Sequence, residues 1–166
     1  EGSPASRRWV VPSGIWYTGA ADAIPKSSRA TKRTSTLCCS LTSRWAQGRA
    51  VRVPVSAPTF TSPALGEVAT VNAVATIDDD GVSLFVVNRS TTEPTTLSVD
   101  LRPLLGDLGR EMAIDEAHLL HDDDIYASNT LEDRERVGLR PMDAEVDGET
   151  LRISLPPVSW GCLRLS

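Results

Sequence analysis

From about residue 50 onward the apolar positions of this chain fall into short runs rich in Val, Leu, Ile and Thr, separated by turn residues. The runs at 50–55, 68–78, 82–88, 95–101, 111–120, 149–155 and 158–165 are predicted strands. Leu97, Val99 and Leu101 alternate with Ser98 and Asp100, and Leu151, Ile153 and Leu155 alternate with Arg152 and Ser154, so each of these strands buries one face. Val82 to Val87 is apolar on both faces apart from Ser83, the pattern of a central strand covered on both sides. Asp79-Asp80-Gly81 and Asp147-Gly148 supply hairpin turns, which makes the pairing antiparallel. An all-β fold follows: an antiparallel, jelly-roll-like β-sandwich. The polar stretch from His121 to Asp143 lacks sustained alternation and is predicted to be a long surface connection.

The first 42 residues have no such pattern. Neither period 2 nor period 3.6 persists there, and the segment is expected to be disordered or poorly packed. Charge sharpens the division. Residues 1–67 hold 9 Lys/Arg against 3 Asp/Glu, and residues 68–166 hold 8 against 19, within a chain of net charge −5. A basic, Ser/Thr-rich arm could neutralise phosphates, but its cations are not focused on one face or interleaved with aromatic rings, so no nucleic-acid partner is expected. No apolar run reaches the roughly 18 residues of a membrane span, and none is expected at a membrane. The chain starts at Glu1 and is read as a fragment of a longer, cytoplasmic protein. Cys38, Cys39 and Cys162 give neither an even disulfide framework nor zinc-site spacing, and are read as reduced, incidental thiols.

Four blocks in order carry a likeness to a known family. They are "SAPTFTSPALGEV" (Ser56 to Val68), "VNAVATIDDDGVSLFVVNRS" (Val71 to Ser90), "LLHDDDIYASNTLEDRERV" (Leu119 to Val137) and "LPPVSWGCLRL" (Leu155 to Leu165). Together they resemble the carboxy-terminal β-sandwich of the family-51 glycoside hydrolases, chiefly α-L-arabinofuranosidases. Arg134 stands where the family pattern usually has proline. The segment "TSRWAQGRAVRVPV" (Thr42 to Val55) is faintly similar to the connection leaving the family's barrel, and the likeness fades upstream of it. The organisation expected is therefore 1–42, an unpatterned basic segment read as a frame-shifted or mis-joined remnant; 43–67, the barrel-to-sandwich connection; and 68–166, the sandwich.

The resemblance implies a parent that hydrolyses terminal non-reducing α-L-arabinofuranosyl residues of arabinose-containing oligosaccharides or polysaccharides, without a cofactor. It implies a catalytic (β/α)₈ barrel as the partner of this domain, and a homo-oligomeric parent. Retaining glycosidases of this kind need two carboxyl groups about 5–5.5 Å apart around the scissile bond. No barrel-strand context for such a pair exists in this sequence, so no catalytic residue is carried over, and the chain alone is expected to be inactive. The alternative is an independent carbohydrate-binding sandwich, which would need at least two aligned, exposed rings.

Other candidate chemistry weighs little. Asp78-Asp79-Asp80 and Asp122-Asp123-Asp124 offer hard oxygen ligands but lack the glycine and distal glutamate of a calcium loop, and no metal is expected. His118 and His121 would point to opposite faces of one strand and are read as surface or edge histidines. Asn88-Arg89-Ser90 fits a glycosylation acceptor but is read as structural, with Asn88 bracing the turn after its strand. Asn129 and Thr130 are expected to brace the long connection. Trp160 is the candidate for packing or sugar contact. The face that meets a barrel should show an exposed apolar patch.

Overall fold

The computed structural model describes residues 8–10, 36–104 and 111–166, with side chains from residue 41 onward. Most of the stretch 1–42 lies outside the described residues. Within it β1 (Arg8–Val10) runs parallel to β7, and α1 (Thr36–Trp45) crosses the boundary expected at residue 42. The remaining strands are β2 (Arg49–Val51), β3 (Thr59–Ser62), β4 (Gly66–Ala69), β5 (Val71–Asp78), β6 (Gly81–Asn88), β7 (Thr95–Asp100), β8 (Ile114–Leu120), β9 (Leu139–Pro141), β10 (Ala144–Asp147), β11 (Thr150–Leu155) and β12 (Ser159–Leu165).

Two sheets pack face to face. One has the order β2-β5-β6-β12-β8-β9 and the other β1-β7-β11-β10, while β3 and β4 form a separate two-stranded hairpin. Apart from the parallel β1–β7 pair, every described pairing is antiparallel. Period-2 alternation sends one residue set of each strand inward. Val71, Ala73, Ala75 and Ile77 of β5 meet Val82, Leu84 and Val86 of β6 and Leu163 and Leu165 of β12, and Leu97, Val99, Leu151, Ile153 and Leu155 of the facing sheet close the core. Leu151, Ile153 and Leu155 are fully buried, each contributing about 1.5–3 kcal/mol relative to exposure.

Some expectations need correction. The stretch 43–67 contains the end of α1, then β2, which falls within the strand expected at 50–55, and β3 and the start of β4, which were not expected. The run 111–120 becomes strand only from Ile114, and the connection after His121 ends in β9. β10 precedes the predicted Asp147-Gly148 turn as the partner of β11. His121 lies just past the end of β8 rather than on it, and His118 is no edge residue, because β9 pairs with β8 beside it.

One ionic network fixes the far end of the six-stranded sheet. Arg164 Nη1 donates to Asp78 Oδ2 at 3.1 Å and to the buried Ser83 Oγ at 3.0 Å, and its Nη2 donates to Asp78 Oδ1. Asp78 Oδ1 also accepts the N–H groups of Asp80 and Gly81, each at 3.0 Å, so one carboxylate shapes the β5–β6 turn and ties it to β12. The Arg164 hydrogen bond, helped by those two N–H donors and opposed by burial, holds the Asp78 carboxyl below its ordinary range. A carboxylate of depressed pKa contributes stability above its unfolded pKa of about 3.9, and that stability is lost as pH falls through the folded value. Arg164→Met should therefore cost about 2 kcal/mol at pH 7, and the gap to wild type should narrow as pH drops below about 4. Urea unfolding at pH 7 and pH 3 measures both; an equal deficit at the two pH values would contradict this role.

Candidate functional site

The two sheets present opposite chemistry on their outer faces. On the four-stranded sheet, Arg152 of β11 lies 3.1 Å from both Glu145 and Asp147 of β10, and Arg102 pairs with Asp100 just after β7. That face is charged and solvated. The outer face of the six-stranded sheet carries one polar row, Thr76, Ser83, Arg164 and Glu116, and is largely apolar beyond it. Register places Val74 of β5 opposite Phe85 of β6, Phe85 opposite Cys162 of β12, and Cys162 opposite His118 of β8, so these four side chains cross the sheet as one row. Val87, Trp160 and Leu120 form the next row.

Helix α1 covers part of this face. Leu41 and the buried Trp45 pack with Phe85, Cys162 and Trp160 in a cluster separate from the main core. The Trp45 backbone carbonyl accepts the hydroxyl of Thr76 at 3.1 Å, and the Trp45 ring lies 5.5 Å from that of His118. His118 Nε2 is 3.1 Å from Glu116, which also pairs with Arg44 at 3.5 Å. Beyond the helix, Val74 stays 58% exposed. Ser, Thr and Cys are poor helix formers, so α1 owes its place to this packing more than to propensity.

A cleft of about 560 Å³ opens at the end of the same sheet, where β6 and β8 finish and β12 begins. Trp160, Leu120, Ile125 and Val158 give it apolar walls, and Arg89, Asp122 and Asp124 are among its polar lining residues. Arg136 reaches Asp124 at 2.9 Å and Asp122 at 3.8 Å. Val158 has φ of +46°, a backbone conformation unusual for a β-branched residue, and its N–H donates to Ser90 O at 2.9 Å. His121 turns Nε2 toward Asp123 at 3.3 Å, and its buried Nδ1 has no protein partner.

The candidate residues fall as follows. Asn88 is 1% exposed: its Nδ2 donates to the carbonyls of Glu93 (3.0 Å), Leu155 (3.2 Å) and Pro156 (3.0 Å), and its Oδ1 accepts Ser90 N–H (3.0 Å). The Asn129 amide pairs with both backbone groups of Val137, at 2.7 and 3.1 Å. Thr130 closes a small loop with Asp133 through its hydroxyl and its N–H. Trp160 is half-buried, with its ring 6.3 Å from that of Phe85. The cleft brings Asn88 and Trp160 together; Asn129 and Thr130 do not line it. Sequence reasoning missed Trp45, Phe85 and Val74 as one surface, although strand register links the last two. Among the described residues no group of three or more His, Cys, Asp or Glu could hold a metal ion, and no helix is long and apolar enough to cross a membrane.

Comparison with known proteins places these features. A sequence profile of the α-L-arabinofuranosidase C-terminal domain matches residues 18–159, so the likeness reaches upstream of Thr42. An exo-α-(1→6)-L-arabinofuranosidase of Bifidobacterium longum is 40% identical over 126 residues, covering 73% of this chain and 23% of the relative. An intracellular exo-α-(1→5)-L-arabinofuranosidase of the same organism is 38% identical, over 69% of this chain and 21% of the relative. Among solved structures, a family 51 α-L-arabinofuranosidase from Bifidobacterium longum superposes with a TM-score of 0.69 at 34% identity, over 76% of this chain and 24% of that one. The chain thus spans about a quarter of the length of the relatives it matches.

Proposed function

Because this chain belongs to the α-L-arabinofuranosidase C-terminal domain family, we propose that it is the non-catalytic β-sandwich of a longer glycoside hydrolase, docked on the catalytic barrel and stabilising it. The observation that carries the docking is the contrast between the two outer faces. Helix α1 already covers Phe85, but Val74 beside it stays 58% exposed and Trp160 half-buried, which suits a face that a second body completes.

The parent then releases terminal α-L-arabinofuranosyl groups by hydrolysis, without a cofactor and within the cell. Its two catalytic carboxylates belong to the barrel. The β3–β4 hairpin joins neither sheet and holds Phe60 41% and Leu65 78% exposed, which suits a contact with a second copy of the parent. Incubated alone with an aryl α-L-arabinofuranoside, the chain should give no turnover above the buffer rate. Hydrolysis that scales with chain concentration would overturn the non-catalytic reading.

A further inference from the structure

Trp160 packs with the cluster under α1 and also lines the 560 Å³ cleft at the sheet's end. We propose that this cleft binds an uncharged, hydroxyl-rich ligand, a short run of arabinofuranosyl units.

Three features of the cleft select that chemistry. Its volume and mixed lining suit a ligand of a few sugar rings, with an apolar wall for the C–H face of a ring and polar groups for hydroxyls. Its charges are balanced. Asp122 and Asp124 are met by Arg136, and Arg89 adds a second cation, so the site gives no net pull on a phosphate or an ammonium group. It also offers acceptors and donors together, the carboxylates accepting and Arg89 and Thr91 donating, which matches hydroxyls that do both.

Aromatic surface is present in the lining and next to it. Trp160 is part of the apolar wall, and Tyr126, 86% exposed, stands between the lining residues Ile125 and Ala127. The wall is held in place: Val158 keeps φ of +46° while its N–H is bonded to Ser90 O, and the Asp124 side chain accepts the Tyr126 N–H at 2.9 Å. The choice of arabinofuranosyl units over other sugars rests on the proposed function, and the choice of a neutral polyol rests on the cleft itself.

Titration of the ¹⁵N-labelled chain with α-1,5-arabinotriose, followed by NMR, tests the proposal. The Trp160 indole N–H and the amides of residues 121–127 and 158–160 should shift together, with saturation in the millimolar range. Asp124→Asn should weaken binding several-fold, and Trp160→Leu about tenfold or more. Thr61→Ala, on the separate hairpin, should leave binding unchanged. If Trp160→Leu fails to fold, Asp124→Asn and Tyr126→Ala carry the test. Absence of shifts up to high millimolar triose, or shifts that Asp124→Asn and Tyr126→Ala leave unchanged, would overturn the site. Equal affinity for maltotriose would overturn the arabinofuranosyl assignment while leaving the docking role intact.

Discussion

Asn88→Asp should destabilise this domain by about 3–5 kcal/mol at pH 7, although it changes one atom. The Asn88 side chain is 1% exposed, and its amide nitrogen faces three backbone carbonyls, those of Glu93, Leu155 and Pro156. These carbonyls lie just before β7 and at the end of β11, so one side chain ties β6 to two strands of the opposite sheet. Replacing the NH₂ by a carboxylate oxygen turns three attractions into three repulsions inside a site that water does not reach. Protonation would restore a donor, so the deficit should shrink between pH 7 and pH 4. Urea unfolding at both pH values, with unchanged slope, is the measurement. A loss below about 1 kcal/mol at pH 7 would mean that the carbonyls find other partners.

Gly81→Ala should cost about 3 kcal/mol or more, whereas Gly148→Ala should cost only about 1–2 kcal/mol. Both glycines sit at hairpin turns with positive φ, +156° and +58°. A Cβ on Gly81 would stand 2.0 Å from the Leu165 carbonyl oxygen and 3.0 Å from its carbon, and that backbone cannot swing aside. Leu165 pairs with Val82, and the adjoining Ser166 exchanges both backbone hydrogen bonds with Ala113. A Cβ on Gly148 would meet open space, so only the backbone penalty applies. Thermal unfolding of the two variants side by side reads the difference. Equal shifts in midpoint would show that the contact with Leu165 is relieved by a small movement of the turn.

This pair also marks the limit of what the sequence discloses. Turn chemistry identified both glycines, since Asp-Gly between apolar runs is a local signal, but the neighbour that separates them is 84 residues away in the chain. The same division runs through the fold. Strands β5, β6, β7, β11 and β12 were legible because each buries a face and so writes a period of two, or an unbroken apolar run, into its residues. The β3–β4 hairpin was not, because it lies outside both sheets and has no buried face to impose alternation. Helix α1 was not, because "TLCCSLTSRW" contributes only Leu41 and Trp45 to the described cluster and is otherwise short on strong helix formers.

The candidate site follows the same rule. Asn88, Asn129 and Trp160 stood out as residue types; Asn129 acts on backbone eight residues on, while the Leu155 and Pro156 partners of Asn88 are far away in the chain. The row Val74, Phe85, Cys162 and His118 exists only once the order β5-β6-β12-β8 is known, since each member comes from a different strand. The cleft is likewise assembled from loops that precede β7, follow β8 and precede β12. Alternation along one strand can tell that both faces are apolar, as it did for Val82 to Val87, but not what lies against the outer one.

The docking of that outer face is the central claim, and its most direct test is binding to a separately produced catalytic domain of the Bifidobacterium longum exo-α-(1→6)-L-arabinofuranosidase. The affinity should fall about tenfold or more for Val74→Glu, which places a charge on the apolar face, and should hold for Ser154→Glu, which places one on the charged face of the opposite sheet. Unchanged affinity for Val74→Glu together with a loss for Ser154→Glu would contradict the account and put the barrel on the other side of the sandwich.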